Sequence, residues 1–491
     1  MIRAQKLISV SLVCAIPLLA LDLSQPLKFT VDTSQNGVTS NKTFMIITIP
    51  GETYNYAVIC QNGGDIKQAE GDFNCTYATE GNYTISISGI FPGFDYNGSS
   101  EARKFVSIDQ WGDIVWKSMA SAFIGAYQVH IGATDTPNLS EVTDMSQMFY
   151  GVPHVSGNFN SWDVSHVTNM QEMFYSTDFD ENISNWDVSS VTNMKGMFKF
   201  VNGFNQDISD WNVSHVENMA YMFLSTSFNR DIGKWDVSRV TDMTEMFYAT
   251  PFNQDIGDWN VSSVTTMNGM FRSAKRFNQD ISGWNVARVT DMHRMFRFAS
   301  SFSQDLRDWN VSQVKNMTYM FDESGLSTSH YDALLQGWQQ QPLQTNVRFD
   351  NRYGYYCKAE DARQAITDTY GWNITDKGLN CSYYINSADT FNIKSGKREV
   401  GVITVANDTN ISTIFSIIPK SADDALFDIN TTNGQLRFKE KAVYHYNGDN
   451  EYHVLVQAEM DSAEGALDIQ TVRVRVEPNN TLVPVINYLL D

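Results

Sequence analysis

The chain has 491 residues, enough for about three domains. Its 42% apolar content, with 22 Tyr and 29 Phe, is that of a globular protein and excludes a disordered one. A net charge of −21 argues against a nucleic-acid partner, which would demand basic patches, and gives no reason to expect attraction to anionic lipid.

Residues 1–21 read as a signal peptide. Arg3 and Lys6 supply the positive region, and 7–21 is an apolar stretch interrupted by Pro17 and too short for a membrane span. No other stretch approaches the roughly 20 apolar residues of a spanning helix, so the mature chain is expected to have none. Of five cysteines, Cys14 lies in the signal, leaving Cys60, Cys75, Cys357 and Cys381. An even count in an exported chain points to disulfides, with three connectivities open. The local pairs Cys60–Cys75 and Cys357–Cys381 are favoured because the repeat block separates them. The rival, a zinc site, lacks C-x-x-C spacing and nearby histidines.

Residues 22–108 have strand character. TFMIITI (43–49) and NYTISIS (82–88) are rich in β-branched and aromatic residues, and Gly51, Gly63, Gly64, Gly71, Pro92 and Gly93 punctuate the runs. A small β-sandwich is expected. Residues 109–139 read as an atypical first coil, in which MASAFIGA (119–126) imitates the repeat that follows.

Residues 140–321 carry that repeat. One copy is FNQDISDWNVSHVENMAYMF (204–223), the next FNRDIGKWDVSRVTDMTEMF (228–247). A fixed period of this length is the mark of stacked coils. The apolar positions are Ile208, Trp211, Val213, Val216, Met219, Met222 and Phe223 in that copy. Trp and Val two apart suggest one face of a short strand. Val, Met and Met three apart suggest a helical or 3₁₀ return. The F-N-Q-D segment supplies a turn whose side chains can satisfy the backbone.

Residues 322–384 read as a cap with two helical stretches, 330–338 and 359–370. Residues 385–478 return to strand patterning, at 400–405, 436–439, 452–458 and 471–476, with a hairpin signal at Asn433-Gly434. The tail 479–491 shows neither a spanning helix nor a sorting motif. The expected fold is multi-domain and mostly β with short helices: a leucine-rich-repeat-like solenoid flanked by two β-sandwiches.

Three resemblances follow from these residues. The repeat W-[DN]-V-S-x-V-T-x-M-x-x-M-F is similar to that of BspA-like surface proteins, and residues 107–123 and the YGWNITDKGLNC motif resemble the segments that open and close such arrays. This implies an exported solenoid with adhesive roles and no enzymatic activity. TYATEGNYTISISGIFPGF (76–94) resembles the last strands of a PKD-like module. VGVITVANDTN, LFDINTTNGQLRF and the stretch 452–480 resemble a cadherin-like domain. There the acidic calcium motifs are replaced by Ala442-Val443-Tyr444-His445 and Glu477-Pro478-Asn479-Asn480. Asp408, Asp461 and Glu477 remain as thin candidate calcium ligands; no other cofactor is expected.

The tryptophan and methionine columns read as core. In a leucine-rich-repeat geometry the residue between Trp and Val faces outward, giving a ladder of Asp163, Asp187, Asn212, Asp236, Asn260, Asn285 and Asn310 as a candidate ligand surface; a role confined to turns and solvent is the competing reading. A second column, Asp207, Asp231, Asp255, Asp280 and Asp305, reads as turn capping rather than calcium binding. Asn82, Asn212, Asn260 and Asn310 lie in N-x-[ST] sequons. The histidines fall at unrelated repeat positions, and no G-x-S-x-G, H-E-x-x-H or P-loop is present, so no enzyme is expected. The expected function is recognition or adhesion at the cell surface or in the medium, with an extracellular protein as partner; polysaccharide binding is the alternative.

Overall fold

A computed structural model describes residues 24–381 continuously and, between 384 and 477, strands and short segments. The signal segment 1–21, the tail 479–491, the Asn-Gly turn at 433–434 and the calcium candidates Asp408 and Asp461 lie outside the described residues, as does the side chain of Glu477.

The described part is mostly strand, turn and loop with few helices. It begins with β1 (Leu27–Asp32), β2 (Thr43–Ile46), β3 (Asn55–Ile59), β4 (Ile66–Ala69), β5 (Phe73–Thr76), β6 (Asn82–Ile90), β7 (Phe105–Gln110) and β8 (His130–Ile131). Strict alternation in β1 sends Leu27, Phe29 and Val31 inward. One sheet runs β4-β3-β6-β1-β7-β8, and β2 pairs separately with β5. The disulfide Cys60–Cys75 ties the residue after β3 to β5, joining the two. A Lys104–Glu101 ion pair at 3.1 Å is wholly buried and is satisfied by the 39–45 loop.

The parallel β7–β8 pair leads into the repeats without a break. Met119, Ser121 and Phe123 donate to Asp144, Ser146 and Met148, so 109–139 already forms a coil that hydrogen-bonds to the next. A single apolar core extends from Leu27 to Ile374.

Within the repeats the hydrogen bonds between coils differ from the expected W-x-V strand. Trp211, Asn212 and Val213 form no strand and lie between the turns at 209–210 and 214–215, with Trp211 N–H bonded to Ile208 and Val216 N–H to Val213. The ladder between coils falls on the M-x-x-M-F stretch instead. Met219, Tyr221, Phe223 and Ser225 donate to Asp242, Thr244, Met246 and Tyr248 of the next coil, while Met222 and Leu224 donate locally to Met219 and Tyr221. The cause is the backbone. Tyr221 and Ser225 have φ of 62° and 55°, and the same two positions are left-handed in coil after coil, as at Glu245 and Ala249. With a left-handed residue at each end of the stretch 221–225, every second N–H points toward the neighbouring coil. Parallel bridges then run Asp144–Asn169–Asn193–Asn218–Asp242–Thr266–Asp291–Asn316.

The core positions stack in register. Phe198, Phe223, Phe247 and Phe271 form a column with ring centroids 5.7–6.0 Å apart. The F-N-Q-D phenylalanines stack on it, Phe228 against Phe223 at 4.0 Å. The asparagine after each bonds the next copy: Asn205 Oδ1 accepts from Asn229 N–H, and Asn229 Oδ1 from Asn253 N–H.

Beyond the repeats come α1 (Thr328–Trp338), β9 (Arg348–Asp350), α2 (Glu360–Tyr370) and β10 (Asn373–Thr375). Ser327 caps α1 by accepting from His330 N–H, and Gly371 ends α2 in the left-handed conformation. β9 extends the coil ladder, since Met317 and Phe321 donate to Arg348 and Asp350, and β10 pairs parallel with β9. The disulfide Cys357–Cys381 closes this segment around α2. Further on, β11 (Tyr384–Ile385) pairs with β14 (Val405–Ala406). A second sheet runs β12 (Thr390–Lys394), β19 (Leu467–Glu477), β18 (Glu451–Met460) and β15 (Thr413–Ile417). A third runs β13 (Glu399–Val402), β17 (Gln435–Phe438) and β16 (Phe427–Ile429).

Candidate binding surface

Asp163, Asp187, Asn212, Asp236, Asn260, Asn285 and Asn310 are all exposed. Each also has a local task. Its Oδ1 accepts the backbone N–H two residues on, at 3.0–3.2 Å, from Ser165, Ser189, Ser214, Ser238, Ser262, Ala287 and Ser312. These are Asx turns, and they bend the chain between Trp and the next Val. The serine hydroxyl and then the backbone N–H hold the Asp163 and Asp236 carboxyls below the usual range. Asp207, Asp231, Asp255, Asp280 and Asp305 make the same turn with the residue two on. Asp207 and Asp231 line a cleft with Ser209, Arg230 and Lys234, so cations share that pocket with the carboxylates. Among the described residues no cluster of three or more His, Cys, Asp or Glu could hold a metal.

The tryptophans are 0–4% exposed from Trp162 to Trp309. Their indole N–H groups explain why the position is Trp rather than Leu. Trp211, Trp235, Trp259, Trp284 and Trp309 donate to the carbonyls of Ile183, Ile208, Ile232, Ile256 and Ile281, one coil earlier. A ring that fills the core also satisfies a backbone oxygen there.

A different surface emerges beside the ladder between coils. Residues flanking several of the Met-Phe pairs bring aromatic rings and cations together, with Glu245 3.8 Å from Arg272 among them. Tyr150 and Tyr175 stack at 4.2 Å. The Lys199 ammonium lies 4.6 Å from the Tyr221 ring centre and 5.5 Å from that of Tyr175. Arg272 lies over Tyr248 at 4.7 Å. At the end of the repeats four guanidiniums surround the Tyr319 ring: Arg352 at 4.5 Å, Arg297 at 5.0 Å, Arg348 at 5.1 Å and Arg294 at 5.7 Å. The sequence does hint at this column, because its positions are the variable ones inside M-x-x-M-F-x-x. The hint is weak without the backbone that turns them outward, and Arg348 and Arg352 come from beyond the repeats.

Fold and surface together define a protein of tandemly stacked repeats with a mostly β framework. The family described as Mycoplasma protein of unknown function, DUF285, matches residues 117–228 and 224–334. The two matches are consistent with the BspA-like resemblance of the repeats; they do not extend to the PKD-like or cadherin-like stretches. No curated protein and no solved structure matches the chain. No helix among the described residues is long and apolar enough to cross a membrane.

Proposed function

We propose that the chain is an exported recognition or adhesion protein, not an enzyme, whose repeats form a leucine-rich-repeat-like solenoid and bind an extracellular protein partner. The observation that carries this reading is the outward column of tyrosines and cations along the coils, from Tyr150 to Arg352. Tyr and Arg are the residue types that anchor protein interfaces. These side chains are stacked in place before any partner arrives, which lowers the entropy lost on binding. Two disulfides in the described residues fit an oxidising, extracellular setting. The repeat match supports a surface role only as far as the family goes, since its function is itself open.

The test is a pull-down of outer-surface proteins set beside a glycan array, using the intact protein. Capture of a defined protein, weakened by substitution of Lys199 and Arg272, is expected. Binding confined to the glycan array would favour polysaccharide recognition instead. Turnover of a polysaccharide panel by the pure protein would overturn the non-enzymatic reading.

A further inference from the structure

In a chain of net charge −21, four arginines around one tyrosine are an electrostatic anomaly. Two of them are compensated. Arg348 pairs with Asp350 at 2.9 Å, and Arg352 lies 3.5 Å from Asp322 and 3.6 Å from Asp350. Both of those aspartates are buried. Among the described residues Arg294 and Arg297 make no close ion pair, and Arg297 acts on the Asp322 carboxyl only at longer range; their Nε atoms, like that of Arg352, are buried without a hydrogen-bond partner. Stacking on Tyr319 and on Phe298, 4.6 Å from Arg297, holds the guanidiniums but does not neutralise them. Two buried aspartates, Asp322 and Asp350, face four guanidiniums, and folding alone gives no reason to gather that excess of like charge around one ring.

The geometry points to this cluster as a receptor for carboxylates, and specifically for an Asp/Glu-rich segment of a protein partner. The inference rests on the recognition reading and names the chemistry of the partner at one end of that surface. With the Nε of Arg294 and Arg297 buried, the terminal Nη groups are the ones left to meet a carboxylate, and a guanidinium can do so bidentately through them. The cluster is built from arginine and tyrosine without lysine, as protein-interface anchors are. A sugar would need an open aromatic face to stack upon, and the Tyr319 ring is already surrounded by guanidiniums. That favours a peptide carboxylate over an acidic polysaccharide.

The experiment measures binding of a fluorescent peptide of alternating Glu and Gly to the intact protein. A Gln-for-Glu peptide and an oligogalacturonate serve as competitors. The Glu peptide is expected to bind, the Gln peptide not, and binding should weaken as ionic strength rises through about 0.3 M. R294Q combined with R297Q should lower affinity about tenfold, the worth of one charge-assisted pair. Lys67→Gln, an exposed lysine of β4 outside the column, should change it less than about twofold. Should the double variant unfold, Arg297→Lys replaces it, keeping the charge and losing the fork, with about threefold loss expected.

Equal binding of the Gln peptide, an unchanged affinity in both arginine variants, or tighter binding of oligogalacturonate would overturn the inference. A double variant that still captures the same outer-surface protein as wild type would overturn it while leaving the recognition reading standing. Failure of the wild-type protein to capture any protein would instead count against that reading.

Discussion

The indole N–H of Trp235 donates to the carbonyl oxygen of Ile208, 27 residues earlier and one coil back, at 3.2 Å. The same bond recurs from Trp186 onward, so the ring serves as both core filler and cross-link. Trp235→Phe would keep much of the apolar contact but leave the buried Ile208 oxygen without this donor. The Ile208 oxygen keeps its bond from Trp211 N–H, so we expect a loss of about 0.5–1.5 kcal/mol in urea unfolding for the one hydrogen bond removed, with a further term for the cavity.

Asp236 accepts from Ser238 N–H at 3.0 Å. Asn260 does the same one coil on. Asp236→Asn should therefore retain the turn and change stability by less than about 0.5 kcal/mol, whereas Asp236→Ala should cost about 1 kcal/mol. The Asp236 carboxyl sits below its ordinary range, so the stability it supplies is complete above the unfolded value of about 3.9 and is lost as pH falls through the folded value. An acid limb that is shallower in the Asn variant than in wild type would show this, the remaining slope coming from other carboxyls held low, such as Asp163.

Ala249 is exposed with φ 57°, and Gly269 occupies the other left-handed position of the next coil with φ 59°. A non-glycine residue in this region costs about 1–2 kcal/mol, partly offset by the entropy that glycine loses on folding. Ala249→Gly should thus stabilise the protein by about 0.5 kcal/mol. Gly269→Ala should destabilise it by about 1 kcal/mol or more, because its Cβ would also come 2.9 Å from Glu245 Cγ. Thermal midpoints moving in the same direction for both would contradict this account of the ladder.

Burial pushes the His293 imidazole below the usual histidine range. Arg294, Arg272 and Arg297 push the same way, and Asp291 opposes them. NMR titration should find it below about 6.5, and Arg294→Gln should move it upward. The unfolded chain takes its proton first. Stability from this group is therefore complete above about pH 6.5 and falls as pH drops toward the folded value.

The coil period, the core columns, both disulfides and the two cap helices were legible because each rests on spacing or on residue type alone. The location of the ladder was not. Trp211 and Val213 have the two-residue spacing of a strand, yet the hydrogen bonds between coils depend on the sign of φ at Tyr221 and Ser225. Neither is glycine, so composition gives no warning that both are left-handed. The outward ladder from Asp163 to Asn310 was legible as a set of exposed positions, but its commitment to Asx turns needed the backbone. The arginine cluster was the least legible. Arg294 and Arg297 lie in a repeat, Arg348 and Arg352 lie past the last one, and only the ladder from Met317 to β9 brings them to one ring.

The coil-to-coil bonds have one more effect. Each coil offers its successor the same donors it received, so the array works as a ruler: its length sets the separation between the amino-terminal sheet and the α1–β10 cap in equal steps of about 4.8 Å. Excising one unit, residues 228–251, would join Ser227 directly to Phe252 and bring Phe223 and Phe252 into the relation that Phe247 and Phe252 now hold. Both ends would keep their own contacts and move one step closer together. The reach of such a protein could then change by whole-unit gain or loss, with no new interface to invent.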